Sequence, residues 1–276
     1  MASSGQCVVT VGTYDGVHLG HRRLIAESLA EGARLGLPTL VVTFDRHPAE
    51  VLRPERAPKL LTGLSHKLEL LGELGVTEPV VLHFDLDRAH ESAEDFVTQY
   101  LLGELGAVSV LVGANFRFGH RQHGDIALLQ ELAPQFGFTA RGIELLIDDE
   151  THTVVSSSAI RAQLAAGAVQ EAARLLGRPH EVRGLATPEG LEIPRELCLP
   201  APGAYEGLLG PPEGPFRTCR ILVEEREPDT GGLLRLDAPV GGDETAEGTL
   251  AARFVARVGG EVATAPALAA RPDADR

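Results

Sequence analysis

The segment from Cys7 to Gly36 constrains the fold of this chain more than any other part. Cys7-Val8-Val9-Thr10-Val11 is a short, mostly β-branched run stopped by Gly12, the pattern of a strand buried on both faces. A glycine-bearing loop follows, and about Gly20 to Leu35 then reads as a helix with Leu24, Ile25, Leu29 and Ala33 on one face. Gly36 stands in the usual helix-ending position. A strand feeding a helix through such a loop is the opening of a βαβ unit.

The alternation continues. Strands are expected at Thr39–Phe44, Pro79–Phe84 and Ser109–Val112, and helices at Ser65–Leu74, Ala93–Leu105 and Asp125–Phe136. This spacing predicts an α/β domain with a mostly parallel sheet covered on both faces, whose ligands bind beyond the carboxyl ends of the strands. After about Pro179 the texture changes. Proline and glycine cluster at Gly184–Pro194, Pro200–Gly203 and Gly210–Pro215, with short β-like runs at Cys219–Val223 and Gly232–Leu236. A small antiparallel barrel, or an eroded one, is expected there. The domains are therefore read as 1–183 and 184–263, followed by an Ala-, Pro- and Asp-rich tail, 264–276, expected to be disordered.

Four motifs carry chemistry, and most of their residues fall just after expected strands. The first is Gly12-Thr13-Tyr14-Asp15-Gly16-Val17-His18-Leu19-Gly20-His21. Its glycines let backbone approach a ligand, and the helix start that follows aims unpaired N–H groups at it. Two imidazoles there can hydrogen-bond a triphosphate and stabilise charge developing on departing pyrophosphate. The bland alternative is a loop with two incidental histidines. A zinc site is not expected, because no H-E-x-x-H and no third ligand is present.

The second motif, Ser156-Ser157-Ser158 with Arg161, opens a helix expected to run through Ala168. Serines at a helix start commonly cap it, and the same hydroxyls with a nearby guanidinium suit terminal phosphates; both readings can hold together. The third is Thr43-Phe44-Asp45-Arg46-His47-Pro48, in which His47 alone would pass for a loop histidine. The fourth is Gly113-Ala114-Asn115-Phe116-Arg117-Phe118-Gly119. In a chain with only 4% aromatics, two phenylalanines beside Asn115 suit a flat ring system, although ordinary core would also use them.

Charge narrows the partners. The formal net charge is -14, and Lys59 and Lys67 are the only lysines. Such a chain repels nucleic acid and anionic lipid at long range, so an anionic ligand must be held by a local cationic pocket. Small phosphorylated substrates are expected, with no nucleic-acid or membrane partner; a homo-oligomer stays open. Cys7, Cys198 and Cys219 are odd in number without C-x-x-C spacing, and read as reduced thiols in a cytoplasmic protein. Met1 to Gln6 lacks the basic and apolar regions of a signal peptide, and no apolar run reaches the length of a membrane span.

Taken in order, these motifs resemble those of the bacterial bifunctional riboflavin kinase/FMN adenylyltransferase family, the FAD synthetases. That family shows G-x-F-D-G-x-H-x-G-H, F-x-P-H-P, V-G-x-x-F-x-F-G, S-S-T-x-I-R and L-G-R-P, the last standing here as Leu176-Gly177-Arg178-Pro179. The resemblance covers about residues 7 to 183. It implies a Rossmann-like nucleotidylyltransferase domain joining AMP from ATP to FMN. It also implies Mg²⁺ bridging phosphate oxygens, mostly through water. By resemblance, His18, His21 and Arg161 would be catalytic, with Gly12, Thr13, Tyr14, Asp15, Gly16, Ser156, Ser157 and Ser158 around the nucleotide. Arg46, His47, Pro48, Asn115, Phe116 and Phe118 would border the acceptor.

Departures accompany the match. Tyr14 replaces a usual phenylalanine, Ser158 a threonine, Arg46 a proline, and Ala114 a commonly acidic residue. No P-T-A-N occurs anywhere, so the second domain is expected to be a degenerate barrel without riboflavin kinase activity. A paralogue using another triphosphate, such as CTP, and another phosphate or phosphonate acceptor stays open. So does a non-catalytic flavin or nucleotide binder.

Overall fold

The computed structural model describes residues 5–76, 78–225, 231–237 and 248–259. The tail expected from 264 onward lies outside them. Five parallel strands, β1 (Cys7–Val11), β2 (Thr39–Phe44), β3 (Val80–Leu82), β4 (Ala107–Gly113) and β5 (Thr139–Ile143), form a sheet ordered β3-β2-β1-β4-β5. β1 is the central strand and all of its residues are buried, which is what its apolar run requires. The chain order reverses between β1 and β4, so the loops leaving these strands open a crevice at their carboxyl ends.

The helices of this half are α1 (Leu19–Leu35), α2 (Pro48–Leu52), α3 (Leu64–Glu73), α4 (Leu86–His90), α5 (Ala93–Asp95), α6 (Ile126–Phe136), α7 (Ser157–Ala165) and α8 (Val169–Leu176). The helix expected over 93–105 begins as α5 and widens into a π-helix over Phe96–Glu104, with Leu105 N–H reaching back to Tyr100 O. The helix expected to run through Ala168 stops at Ala165, and α8 begins afresh beyond Gly167. The loop after β1 is tightly wound: Tyr14, Gly16 and Val17 all have positive φ, at 49°, 81° and 39°. At Gly16 an added Cβ would also come within 2.8 Å of the Leu61 side chain, so only glycine fits. Val17 is β-branched and held there by full burial and by its N–H bond to Tyr14 O.

The second half closes into an antiparallel barrel, β10-β7-β6-β11-β8-β9. Its strands are β6 (His180–Thr187), β7 (Gly190–Ile193), β8 (Gly203–Gly210), β9 (Arg217–Val223), β10 (Gly232–Leu236) and β11 (Thr249–Arg257). Tyr205, Ile221, Leu234 and Phe254 are fully buried in it, and their cluster continues without a break into Ile160 and Leu164 of α7 and Leu176 of α8. The barrel core therefore extends into α7 and α8, while the sheet itself packs in two further clusters. Phe254→Ala is expected to lower global stability by about 3–5 kcal/mol, as emptying a buried aromatic site does; urea unfolding showing a loss below about 1 kcal/mol would contradict that packing.

Cys7, Cys198 and Cys219 are buried, and none of them is in a disulfide. No helix among the described residues is long and apolar enough to cross a membrane.

Candidate functional site

The crevice at the switch point is a cavity of about 440 Å³, and the loops after β1, β2 and β4 meet around it with the start of α7. At one end His18 caps α1: its Nδ1 accepts the His21 N–H at 3.3 Å, which leaves Nε2 to carry the proton of the neutral ring. The His18 and His21 rings stack at 3.6 Å, and the Tyr14 ring meets His21 edge-on at 5.2 Å. Gly20 permits this closeness, since a Cβ there would press on the His18 ring and on Val155 O at 3.2 Å. Burial pulls His18 down to about 4, helped by the nearby charges of Arg178 and Arg161. Burial, then His18 and Lys67, hold His21 well below the usual histidine range. Both imidazoles are therefore neutral at pH 7 before an anion arrives. Among the described residues His21 Nδ1 is buried without a partner, an exception of the kind that collects at functional sites.

Asp15 organises this end. Its Oδ1 accepts N–H bonds from Leu61 at 2.8 Å and Thr62 at 3.2 Å, and its Oδ2 pairs with Arg161 Nη2. Burial pushes the Asp15 carboxyl up, while Arg161 and those amides pull it down. Arg161 also gives its Nε–H to Lys59 O at 2.6 Å, and no bond from its Nη1 occurs among the described residues. Ser156 caps α7 by accepting the Ala159 N–H, Ser157 Oγ donates to Asp15 O at 2.9 Å, and Ser158 is exposed at the cavity. Capping and lining thus occur together in the serine run. Gly16 does not line the cavity. Its N–H goes to Thr62 Oγ1 at 3.1 Å and its carbonyl accepts from Arg178 Nη2 at 2.8 Å.

Farther along, His47 and Pro48 line the cavity where α2 begins. His47 Nδ1 accepts the Ala49 N–H at 3.1 Å, and Glu50 accepts the His47 N–H at 2.9 Å, forming a capping box. Burial, then Arg161 and Lys67, pull His47 down to about 4. Arg46 is not at the cavity. Its guanidinium pairs with Asp45 at 3.2 Å, and Asp45 is also bonded by His83 at 2.7 Å and Phe84 N–H at 3.1 Å. The other end of the cavity is aromatic. Phe116 and Phe118 stack at 5.4 Å, Phe96 follows at 5.8 Å, Phe44 and Phe84 meet edge-on at 5.5 Å, and Asn115, also on the lining, is exposed.

Gly12, Thr13, Tyr14 and Asp15 complete the lining on the β1 side. Several contributors escaped the sequence reading. Phe84 and Phe96 lie on elements whose ends were legible but whose meeting was not, and Phe44 stood in the third motif without being assigned to the acceptor. Leu61 and Thr62 act through backbone N–H groups, which no side-chain pattern announces. Lys67 had a signal, as one of only two lysines in the chain, on an otherwise amphipathic helix.

A parallel sheet with an imidazole pair, a capped serine run and phenylalanines at its switch point is the setting in which such folds bind ligands. The profile of the family described as FAD synthetase matches residues 1–159, and the chain belongs to that family. The bifunctional riboflavin kinase/FMN adenylyltransferase of Escherichia coli (strain K12) is 34% identical over 194 residues, 70% of this chain and 61% of that protein. Its counterpart in Pseudomonas fluorescens is 36% identical over the same shares. The match thus spans less than two thirds of these relatives' length. A solved structure described as the macrolide-efflux protein from Streptococcus pneumoniae superposes with a TM-score of 0.78. It covers 93% of this chain and 86% of its own at 21% identity, a likeness of fold.

Proposed function

We propose that this protein transfers AMP from ATP to FMN, giving FAD and pyrophosphate. One observation carries the reading: a single cavity joins an imidazole and guanidinium end to a phenylalanine-lined end, which suits a triphosphate beside a flat ring. An FMN phosphate oxygen attacks the α-phosphorus of ATP, the bond from that phosphorus to the bridging oxygen breaks, and pyrophosphate leaves with the electron pair. No covalent enzyme intermediate is needed. His18 Nε2–H and Arg161 would meet the charge that grows on the leaving group, and the work is positioning plus electrostatic stabilisation.

Among the described residues no group of three or more His, Cys, Asp or Glu side chains could hold a metal ion. Mg²⁺ would accordingly arrive on the phosphate oxygens and supply charge neutralisation there. The boundary expected at 183/184 falls inside β6, so residues up to Pro179 are proposed to carry the transfer, and the barrel that opens at His180 to form a second domain without riboflavin kinase activity. Support for the latter comes from the missing P-T-A-N stretch.

The engagement of Arg46 with Asp45 removes one reason to expect an altered acceptor. The test is pyrophosphate release by purified protein with Mg²⁺, each of ATP, CTP, GTP and UTP, and FMN among a panel of phosphorylated acceptors. FAD formed from ATP and FMN is the expected result. Release only with another pair, or tight binding without release, overturns the assignment.

A further inference from the structure

Lys67 is buried on α3, behind the cavity, and does not line it. Its Nζ donates to Phe44 O, the last carbonyl of β2, at 2.8 Å, and to Thr13 O, in the loop after β1, at 3.2 Å. Thr43 Oγ1 gives Thr13 O a second bond at 3.2 Å. One ammonium thus ties together two of the loops that make the site. The peptides here are trans, so pulling the Thr13 carbonyl back onto Lys67 turns the Tyr14 N–H to the opposite side. Thr13 and Tyr14 do line the cavity, and the Tyr14 N–H has no partner among the described residues.

We propose that Lys67 is a positioning residue for the transfer: it holds the Thr13 and Phe44 carbonyls away from the phosphates and aims the Tyr14 N–H at them. The inference rests on the function proposed above. Two carbonyl oxygens facing a triphosphate would repel it, whereas one N–H aimed at a developing charge stabilises it. A neutral side chain of equal length fills the space but cannot make either bond.

The same helix anchors on the barrel. His66 approaches Glu181 at 3.5 Å, and Glu69 accepts two bonds from Arg183 at 2.8 and 2.6 Å. The barrel therefore fixes the platform from which Lys67 reaches the loops. Facing the ammonium are Asp15 after β1, Asp45 after β2 and Glu50 on α2, with His21 on α1, His47 before α2 and Arg161 on α7 among the groups of this site. Burial outweighs the three carboxylates and pulls Lys67 down to about 8. The clamp is charged at neutral pH and is lost as pH rises through that value.

The test is kcat/KM for pyrophosphate release from ATP and FMN between about pH 6 and 10 for the full chain, Lys67→Met and Lys67→Arg. Wild type should fall above pH about 8. Lys67→Arg should remove that fall, because a guanidinium stays charged throughout. Lys67→Met should lose about 10²-fold in kcat with KM for ATP changed about twofold at most, as removal of a transition-state donor does. Full kcat in Lys67→Met, or an alkaline fall at the same pH in Lys67→Arg, overturns the proposal. Should Lys67→Met not fold, the Lys67→Arg profile decides. Absence of wild-type turnover sinks the adenylyl-transfer reading instead, and amide exchange across residues 12–17 of the ligand-free protein then reads the clamp. Exchange about tenfold faster in Lys67→Met supports it, and equal rates refute it.

Discussion

Replacing His21 with alanine is expected to slow pyrophosphate release by about 10²–10³-fold while KM for ATP changes much less. The ring is stacked on His18 and enclosed, with Nδ1 lacking a partner among the described residues, an arrangement that costs about 1–3 kcal/mol of desolvation. Its remaining polar atom, Nε2, is the one able to serve a ligand in the cavity that the ring lines. Burial keeps the imidazole neutral in the ligand-free protein, so its interaction grows as negative charge develops on the leaving group. Turnover of His21→Ala near the wild-type rate, measured by stopped-assay pyrophosphate release, would remove this residue from the mechanism.

The second large effect is structural first and catalytic second. Asp15→Ala strips acceptors from the Leu61 and Thr62 N–H groups and leaves Arg161 Nη2 without its carboxylate. Breaking a buried pair in this way costs about 3–5 kcal/mol. Asp15→Asn keeps an acceptor for the amides and should lose distinctly less. Equilibrium urea unfolding distinguishes the two, and equal stability of wild type and Asp15→Ala would mean that the pair carries no load. Activity should fall in both variants, because Arg161 reaches the cavity on the geometry that Asp15 imposes.

Asp15 also shows where sequence reading stops. Its motif was legible, since glycines and histidines between a strand and a helix announce a phosphate-facing loop. Its partners were not, because Arg161 lies 146 positions away and is met only through folding. The place of Arg46, outside the cavity lining, was hidden for a related reason: it pairs with Asp45, which His83 holds from another strand's end. Strands 39–44 and 232–236 matched their apolar patterns because both are flanked by turn residues. β5 was missed because Thr139 and Arg141 are exposed and its run lacks apolar contrast. β6 was missed because Glu181 and Arg183 lie within it, neutralised by each other and by Arg253. The gap between α7 and α8 turns on Gly167, whose φ of 73° an apolar count does not register.

The unbroken cluster running from Phe254 and Tyr205 through Leu176 to Ile160 bears on how natural variation in the barrel would be interpreted. Ile160 precedes Arg161 on α7, and Leu60, next to the Leu61 amide that Asp15 binds, pairs by backbone with Glu196 and Cys198 beside the barrel. A lesion in the barrel can therefore present as a catalytic defect, with the injured position and the symptom in different domains. Tolerance to change in the barrel then measures how much misalignment the cradle withstands, whatever chemistry the barrel itself performs.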